Sequence, residues 1–231
     1  MLQSSSTPVL RAHGLTAGYG PVPVIRDIDL SVEGGEIALL LGANGAGKTT
    51  TLLTLAGEIR PSAGWVALHG QMTRQPLHRR ARAGLGFVEE GQAVFPRLTV
   101  EQNLRIGPGD AERAYQYAPL LRQLRHRQAG LCSGGEQRLL AMARALAAEP
   151  SVLLVDELSI GLAPIMTDQL FQLLRGRADA GAAVLVVEQH PVRALEVADR
   201  ALVLKHGRLV FEARASEIRD RIDELERAYL R

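Results

Sequence analysis

The chain has 231 residues, 46% of them hydrophobic, enough to bury a sizeable interior in one domain or in one core with an inserted lobe. Lys and Arg outnumber Asp and Glu by only 27 to 25, so no strong net field points to nucleic acid, and no nucleic-acid partner is expected. Cys132 is the single cysteine, which excludes an intramolecular disulfide and agrees with a reducing compartment.

Along the chain, the N-terminal MLQSSSTPVL has neither the basic segment nor the apolar stretch of a secretory signal. The first thirty-five residues are short β-prone pieces broken by Gly and Pro, which predicts antiparallel strands beside the core. Three uninterrupted apolar runs, EIALLL (36–41), SVLLVD (151–156) and AAVLVVE (182–188), predict strands buried on both faces of a mainly parallel sheet. All are far shorter than the roughly 20 residues that cross a bilayer.

Between Glu90 and Pro150 the pattern turns helical, in LTVEQNLRI, DAERAYQYAPLLRQLRHR and SGGEQRLLAMARALAAE. The expected organisation is therefore an α/β core made of residues 1–89 and 151–231, with residues 90–150 inserted as a helical lobe. Arg200 to Phe211 reads as further antiparallel strand, and SEIRDRIDELERAYLR places Ile218, Ile222, Leu225 and Tyr229 at helical intervals, as in a terminal helix packed on its own domain. The basic clusters Arg79, Arg80 and Arg82, and Arg122, Arg125 and Arg127, read first as solvated helix faces, with contact sites as the alternative.

GANGAGKTT (42–50) fits G-x-x-x-x-G-K-[ST] between a predicted strand and a predicted helix, the context that a phosphate loop requires. Gly42, Asn44, Gly45, Ala46 and Gly47 would close backbone N–H groups around a β-phosphate at a helix N-terminus. Lys48 would reach the β- and γ-phosphates, the Thr49 hydroxyl would hold Mg²⁺, and Thr50 continues the loop into the helix. VLLVDE (152–157) then supplies Asp156, placed to hold Mg²⁺ through water, and Glu157, placed to orient or deprotonate an attacking water.

A second glycine pair occurs in LCSGGEQRLL (131–140). Ser133 and Glu136 form an S-x-x-E capping box, a sufficient reason for a helix to begin there. They do not account for Gly134 and Gly135, since glycine gives up as much as ~1 kcal/mol relative to Ala inside a helix. Small residues over bare N–H groups let an anion on another molecule approach.

With LCSGGEQ on the page, the chain resembles the ATP-binding subunits of ABC transporters across nearly its whole length. The resemblance implies a P-loop NTPase fold with an antiparallel β region and a helical lobe, ATP and Mg²⁺ as cofactors, and hydrolysis with Glu157 as the base. It also implies Tyr19 against adenine, Glu90 near the metal or the water, and His190 in VVEQH near the γ-phosphate. It implies further that two subunits pair head to tail, so that Ser133 to Glu136 of one chain close over the ATP held by the other.

EEGQAVFPRLTVEQNL (89–104), SIGLAP (159–164) and VVEQHPVRALEVADRALVLKHGRLV (187–210) are similar to the branched-chain amino acid branch, of LivF type. That resemblance implies an importer subunit at the cytoplasmic face of the inner membrane. Its implied partners are a second ATPase, the same or a related chain, two permeases and an external binding protein. Val94, Phe95, Pro96 and Arg97 are expected either to touch the permease or simply to pack within the lobe.

Three departures stand out: Leu158 where the branch has Pro, Cys132 beside the signature serine, and only forty-two residues between Glu90 and Ser133, a shortened lobe. Two alternatives stay open, an exporter subunit and a soluble ATP-dependent clamp on ribosome or DNA. The single ATPase half, with no room for a long coiled coil, weighs against the clamp.

Overall fold

The computed structural model describes residues 8–89, 91, 94–159, 161–188, 191–219 and 222. β1 (Leu10–Ala17) and β2 (Ile25–Val32) form an antiparallel pair, as the β-prone pieces of the first thirty-five residues predict, and β3 (Ile37–Leu41) leads into α1 (Lys48–Ala56). β4 (Ala63–Leu68) and β5 (Gln71–Thr73) follow, then α2 (Leu77–Arg82) and β6 (Leu85–Val88). Helices fill the stretch up to the next strand: α3 (Val100–Ile106), α4 (Ala111–Tyr117), α5 (Leu120–Gln123), a 3-10 turn at Ala129–Leu131, and α6 (Gly134–Leu146). The chain then alternates through β7 (Val152–Asp156), α7 (Pro164–Asp179), β8 (Ala183–Glu188), α8 (Pro191–Val197), β9 (Arg200–Lys205), β10 (Arg208–Arg214) and α9 (Ala215–Arg219).

The strands form two sheets, one in the order β2-β1-β4-β5 and one in the order β10-β9-β3-β8-β7-β6. In the larger sheet every pairing is parallel except β10 with β9. Strict alternation along β3 shows why its apolar run is unbroken. Ile37, Leu39 and Leu41 belong to a core shared with α3, α4, α6, α7 and α9, whereas Ala38 and Leu40 face α1 and the antiparallel sheet. β7 and β8 divide in the same way, so the large sheet is the middle layer.

Three expectations need correction, and one pair of strands lay outside them. Arg200–Lys205 does pair antiparallel with β10, but it does not lie beside the core: β9 also pairs parallel with β3 inside the large sheet, with Ala201 and Val203 buried on one face and Leu202 and Leu204 on the other. The small sheet draws β4 and β5 from residues 63–73, a stretch whose glycines hide its strand character. The helical pattern of 110–127 breaks at Ala118 and Pro119 into α4 and α5, since proline cannot continue the ladder. Arg80 is no solvated charge: it is 2% exposed, and its guanidinium donates to the carbonyls of Thr54, Leu55 and Gln75, closing the C-terminal end of α1. Arg79, Arg82, Arg122, Arg125 and Arg127 are exposed as expected.

Two departures from the branch pattern are absorbed by packing. Leu158 and Cys132 are both buried in the helix-side core, and burial pushes the Cys132 thiol up. The terminal helix packs through Ala215 and Ile218, with Ile222 against the same core; Leu225 and Tyr229 lie outside the described residues.

Candidate nucleotide site

The loop between β3 and α1 sits at the C-terminal edge of the large sheet, where open α/β sheets bind ligands. Gly47 caps α1 with φ of 106°, in the left-handed region, and a Cβ there would lie 2.8 Å from Ile25 Cγ2; conformation and space both demand glycine. Asn44 and Gly45 are exposed at the loop's crest, Ala46 is buried behind it, and Gly42 is buried at the end of β3. From behind, the Gly207 N–H donates to the Ala46 carbonyl at 2.9 Å, and the Arg26 N–H donates to the Gly207 carbonyl at 2.8 Å.

Lys48 opens α1 and is only 4% exposed. Its ammonium folds back over the loop, donating to the Gly42 carbonyl at 2.8 Å and to the Ala43 carbonyl at 3.3 Å. Nζ also lies 3.8 Å from Oε1 of Glu157, so residues over a hundred positions apart meet across the mouth of the loop. Thr49 is half-buried in the first turn of α1 and Thr50 is buried. Asp156 ends β7 at 1% exposure.

Glu157 turns sharply out of that strand. Its φ of 45° is left-handed, a conformation that costs a residue with a Cβ roughly 1–2 kcal/mol. Its N–H donates to the Val187 carbonyl at 3.0 Å and its own carbonyl accepts from Arg138 Nη1 at 2.7 Å. Two residues on, the buried Glu188 carboxyl accepts both the N–H and the hydroxyl of Ser159, at 2.9 and 2.7 Å. Backbone strain held by surrounding partners is characteristic of functional turns.

The second glycine loop has its expected capping box. Ser133 Oγ accepts the Glu136 N–H at 3.3 Å, and the Glu136 carboxylate accepts the Ser133 N–H at 2.7 Å. Ser133 and Gly134 are exposed, and a Cβ on Gly134 would meet nothing within 4 Å. Gly135 has a partial packing reason, since its Cβ would come within 3.2 Å of Met166 Cγ on α7. Among the described residues no hydrogen bond or ion pair joins Ser133 to Glu136 with the phosphate loop.

Tyr19 stands in the turn between β1 and β2, 70% exposed. Glu90 and His190 lie outside the described residues. Of the expected permease contact, Val94 packs on the helix-side core while Phe95, Pro96 and Arg97 are exposed. The Arg144 guanidinium lies over the Phe95 ring at 5.7 Å.

Sequence reasoning passed over several residues. Asn103 is wholly buried; its Oδ1 accepts the Phe95 N–H at 2.8 Å and its Nδ2 donates to the carbonyls of Phe95, Leu98 and Thr99. Its signal was available, because Asn103 shares the apolar phase of α3 with Val100 and Leu104. Arg138 and the Ser159–Glu188 pair had no comparable signal, since their roles depend on contacts between distant segments.

A sequence model of the ABC transporter family matches residues 25–159, from β2 to the turn that follows Glu157. The chain belongs to the ABC transporter family. As a member it is an ATPase. This ABC ATPase is 40% identical over 202 residues to the high-affinity branched-chain amino acid transport ATP-binding protein BraG of Pseudomonas aeruginosa, covering 83% of this chain and 87% of that one. It is 34% identical over 221 residues to the lipopolysaccharide export system ATP-binding protein LptB of Escherichia coli K12, covering 90% and 92%.

Solved structures agree on the fold. A nucleotide-free ATP-binding cassette from an ABC transporter superposes with a TM-score of 0.86 at 24% identity, covering 94% of this chain and 96% of that one. A dimeric cassette in a post-hydrolysis state, bound to ADP and Pi, gives 0.79 at 24% identity, covering 89% and 98%.

Proposed function

We propose that this ATPase is the motor subunit of an importer for branched-chain amino acids or related small amides, working as a head-to-tail dimer beneath two permeases. The likeness to BraG supports the substrate class. The observation that carries the mechanism is the meeting of Lys48 and Glu157 at the mouth of the loop, 3.8 Å apart, beside the buried Asp156.

In this mechanism Gly42 to Thr50 cradle the phosphates, with Lys48 exchanging its loop carbonyls for β- and γ-phosphate oxygens, and Tyr19 lies against adenine. Among the described residues no cluster of three acidic, His or Cys side chains could hold a metal alone. One hydroxyl from Thr49 and one carboxylate from Asp156 suit Mg²⁺, which is held by few protein ligands and completes its shell with water and nucleotide oxygens. When bound, the ion would neutralise charge that develops between the β- and γ-phosphates. Glu157 orients the attacking water and takes its proton. Glu90 and His190 are assigned to the same site by resemblance alone.

Ser133 to Glu136 serve the ATP of the partner chain, which accounts for a second, exposed glycine loop with no hydrogen bond or ion pair to its own phosphate loop among the described residues. Residues 90–150 act as the lobe that passes dimer closure to the permeases. A groove of about 330 Å³ between α2, β6 and α6, lined by Leu77, Phe87, Glu89 and Arg144 and flanked by Phe95, suits a permease segment. No described helix is long and apolar enough to cross a membrane, so the permeases would hold the chain at the cytoplasmic face of the inner membrane. An external binding protein would deliver substrate.

The cross-chain arrangement is tested with two differently tagged copies carrying Ser133→Arg and Lys48→Ala. Placed on opposite chains, the two changes strike the same site and leave one intact, so about half of the activity is expected to remain. Placed on one chain they strike both sites, and activity is lost; the reverse pattern would sink the arrangement. The importer role is tested by purifying the tagged chain from membranes and measuring labelled leucine uptake. The likeness to LptB favours a second reading, an exporter subunit, which recovery of lipopolysaccharide-export membrane proteins would establish instead.

A further inference from the structure

We propose that Arg138 is a positioning residue for Glu157, linking the helix that serves one nucleotide site to the carboxylate that serves the other. The inference rests on the head-to-tail reading given above and assigns a residue which that reading leaves without a role.

Glu157 is held in a left-handed conformation that a glutamate does not adopt unaided, with φ of 45°. Both of its backbone polar groups are tied, and to different elements. The N–H donates to Val187 on β8, extending the β7–β8 pairing by one residue. The carbonyl accepts from Arg138 Nη1 at 2.7 Å, and Arg138 belongs to α6, the helix that begins at Ser133. Ser159 is pinned to Glu188 at the end of β8. The turn therefore rests on the sheet at two points and on the lobe through Arg138.

The chemistry of Arg138 is consistent with a strut. Its guanidinium is half-buried and makes no ion pair among the described residues; its partner is a neutral carbonyl. A hydrogen bond from a cation to a carbonyl is stronger than a neutral one and directional. Loss of it frees the Glu157 peptide to leave the left-handed region, which swings the carboxylate away from Lys48. Because Ser133 and Arg138 share one rigid helix, a displacement of α6 on engaging the partner's ATP also moves the Glu157 carbonyl in its own chain.

Arg138→Ala is expected to lower kcat about 10- to 100-fold, the effect of misplacing a reacting group by about 1 Å, with KM for ATP changed by less than about threefold. Arg138→Lys, which can still donate to the carbonyl, should recover part of kcat. Should Arg138→Ala fold poorly, Arg138→Gln supplies the same comparison with a shorter donor.

The decisive arrangement is a dimer with one working site, made by placing Lys48→Ala in one chain. Arg138→Ala in the chain that keeps Lys48 should impair the site, whereas in the Lys48→Ala chain, beside the Ser133 loop that serves that site, it should leave kcat within about twofold. The opposite pattern, or equal loss from both placements, would overturn the strut and make Arg138 a support for the Ser133 loop. If the head-to-tail reading itself were wrong, the Ser133→Arg and Lys48→Ala pairing would show it independently of Arg138.

Discussion

The ammonium of Lys48 stands 3.8 Å from the carboxylate of Glu157 while donating to the Gly42 carbonyl at 2.8 Å, so the cation of GANGAGKTT and the acid of VLLVDE occupy one buried mouth. In the absence of nucleotide, each partly offsets the desolvation of the other.

Lys48→Ala is expected to abolish phosphate release and to weaken ATP binding at least tenfold, read by titration with a fluorescent nucleotide. It also leaves Glu157 buried without its cation, so the nucleotide-free protein should melt at a lower temperature than wild type. Unchanged ATP affinity would remove Lys48 from the phosphate site.

Glu157→Gln preserves the shape of the turn and removes the carboxylate proposed as the base. Turnover should fall by about 10²–10⁴-fold while ATP binding persists, and an ATP-dependent dimer should accumulate in light scattering. Wild-type turnover in this variant would exclude Glu157 as the base.

The left-handed backbone at Glu157 separates two other substitutions. Glu157→Gly should be more stable than Glu157→Ala by about 1 kcal/mol, because glycine meets no Cβ penalty at positive φ. Urea denaturation of the two inactive variants decides it, and equal midpoints would mean that the turn relaxes.

Asn103→Ala should destabilise the lobe by about 1–3 kcal/mol, since it leaves the Phe95 N–H and its neighbouring carbonyls without their buried partner. Phe95 should become mobile by fluorine NMR of a labelled ring. ATP affinity should be retained, because none of the Asn103 hydrogen bonds reaches the phosphate loop.

Glu188 supplies a pH signature. Burial pushes its carboxyl above the ordinary 4.5, reinforced by the nearby Glu157 carboxylate and opposed by hydrogen bonds from Ser159 and the Leu158 backbone. Between 4.5 and the raised native value, the folded chain keeps a proton that the unfolded chain has released. This contribution to stability is therefore full below 4.5 and is lost as pH rises through the native value. Glu188→Gln should lack that slope, so its stability relative to wild type should increase with pH in denaturation series on nucleotide-free protein. Parallel curves would show that Glu188 is ionised throughout the window.

The sequence was most informative where one local rule governs one local element. The strands at 37–41, 152–156 and 183–188 follow from apolar runs, and the start of α6 follows from Ser133 and Glu136, whose side chains reach only their own first turn. The phosphate loop was legible for the same reason, as a strand, a glycine turn and a helix in direct succession. The antiparallel pairing of β9 with its neighbour β10 was legible, but its parallel pairing with β3 was not, because β3 lies some 160 residues earlier. Arg80 was misread because a charge looks the same in sequence whether it meets water or three backbone carbonyls, two of them at the end of α1. The hold on Glu157 was invisible, since it joins α6, β7 and β8 through backbone groups that every residue possesses.

The turn at Gly207 bears on how binding free energy is spent. Because the Ala46 carbonyl is fastened from behind through Gly207 to Arg26, the phosphate loop holds its shape before any nucleotide arrives. Fixing the backbone of one residue costs about 1–2 kcal/mol, so a pre-formed loop spares ATP the entropy of ordering it. The free energy released on binding is then left for work outside the loop, which under the proposed function is the drawing together of two chains.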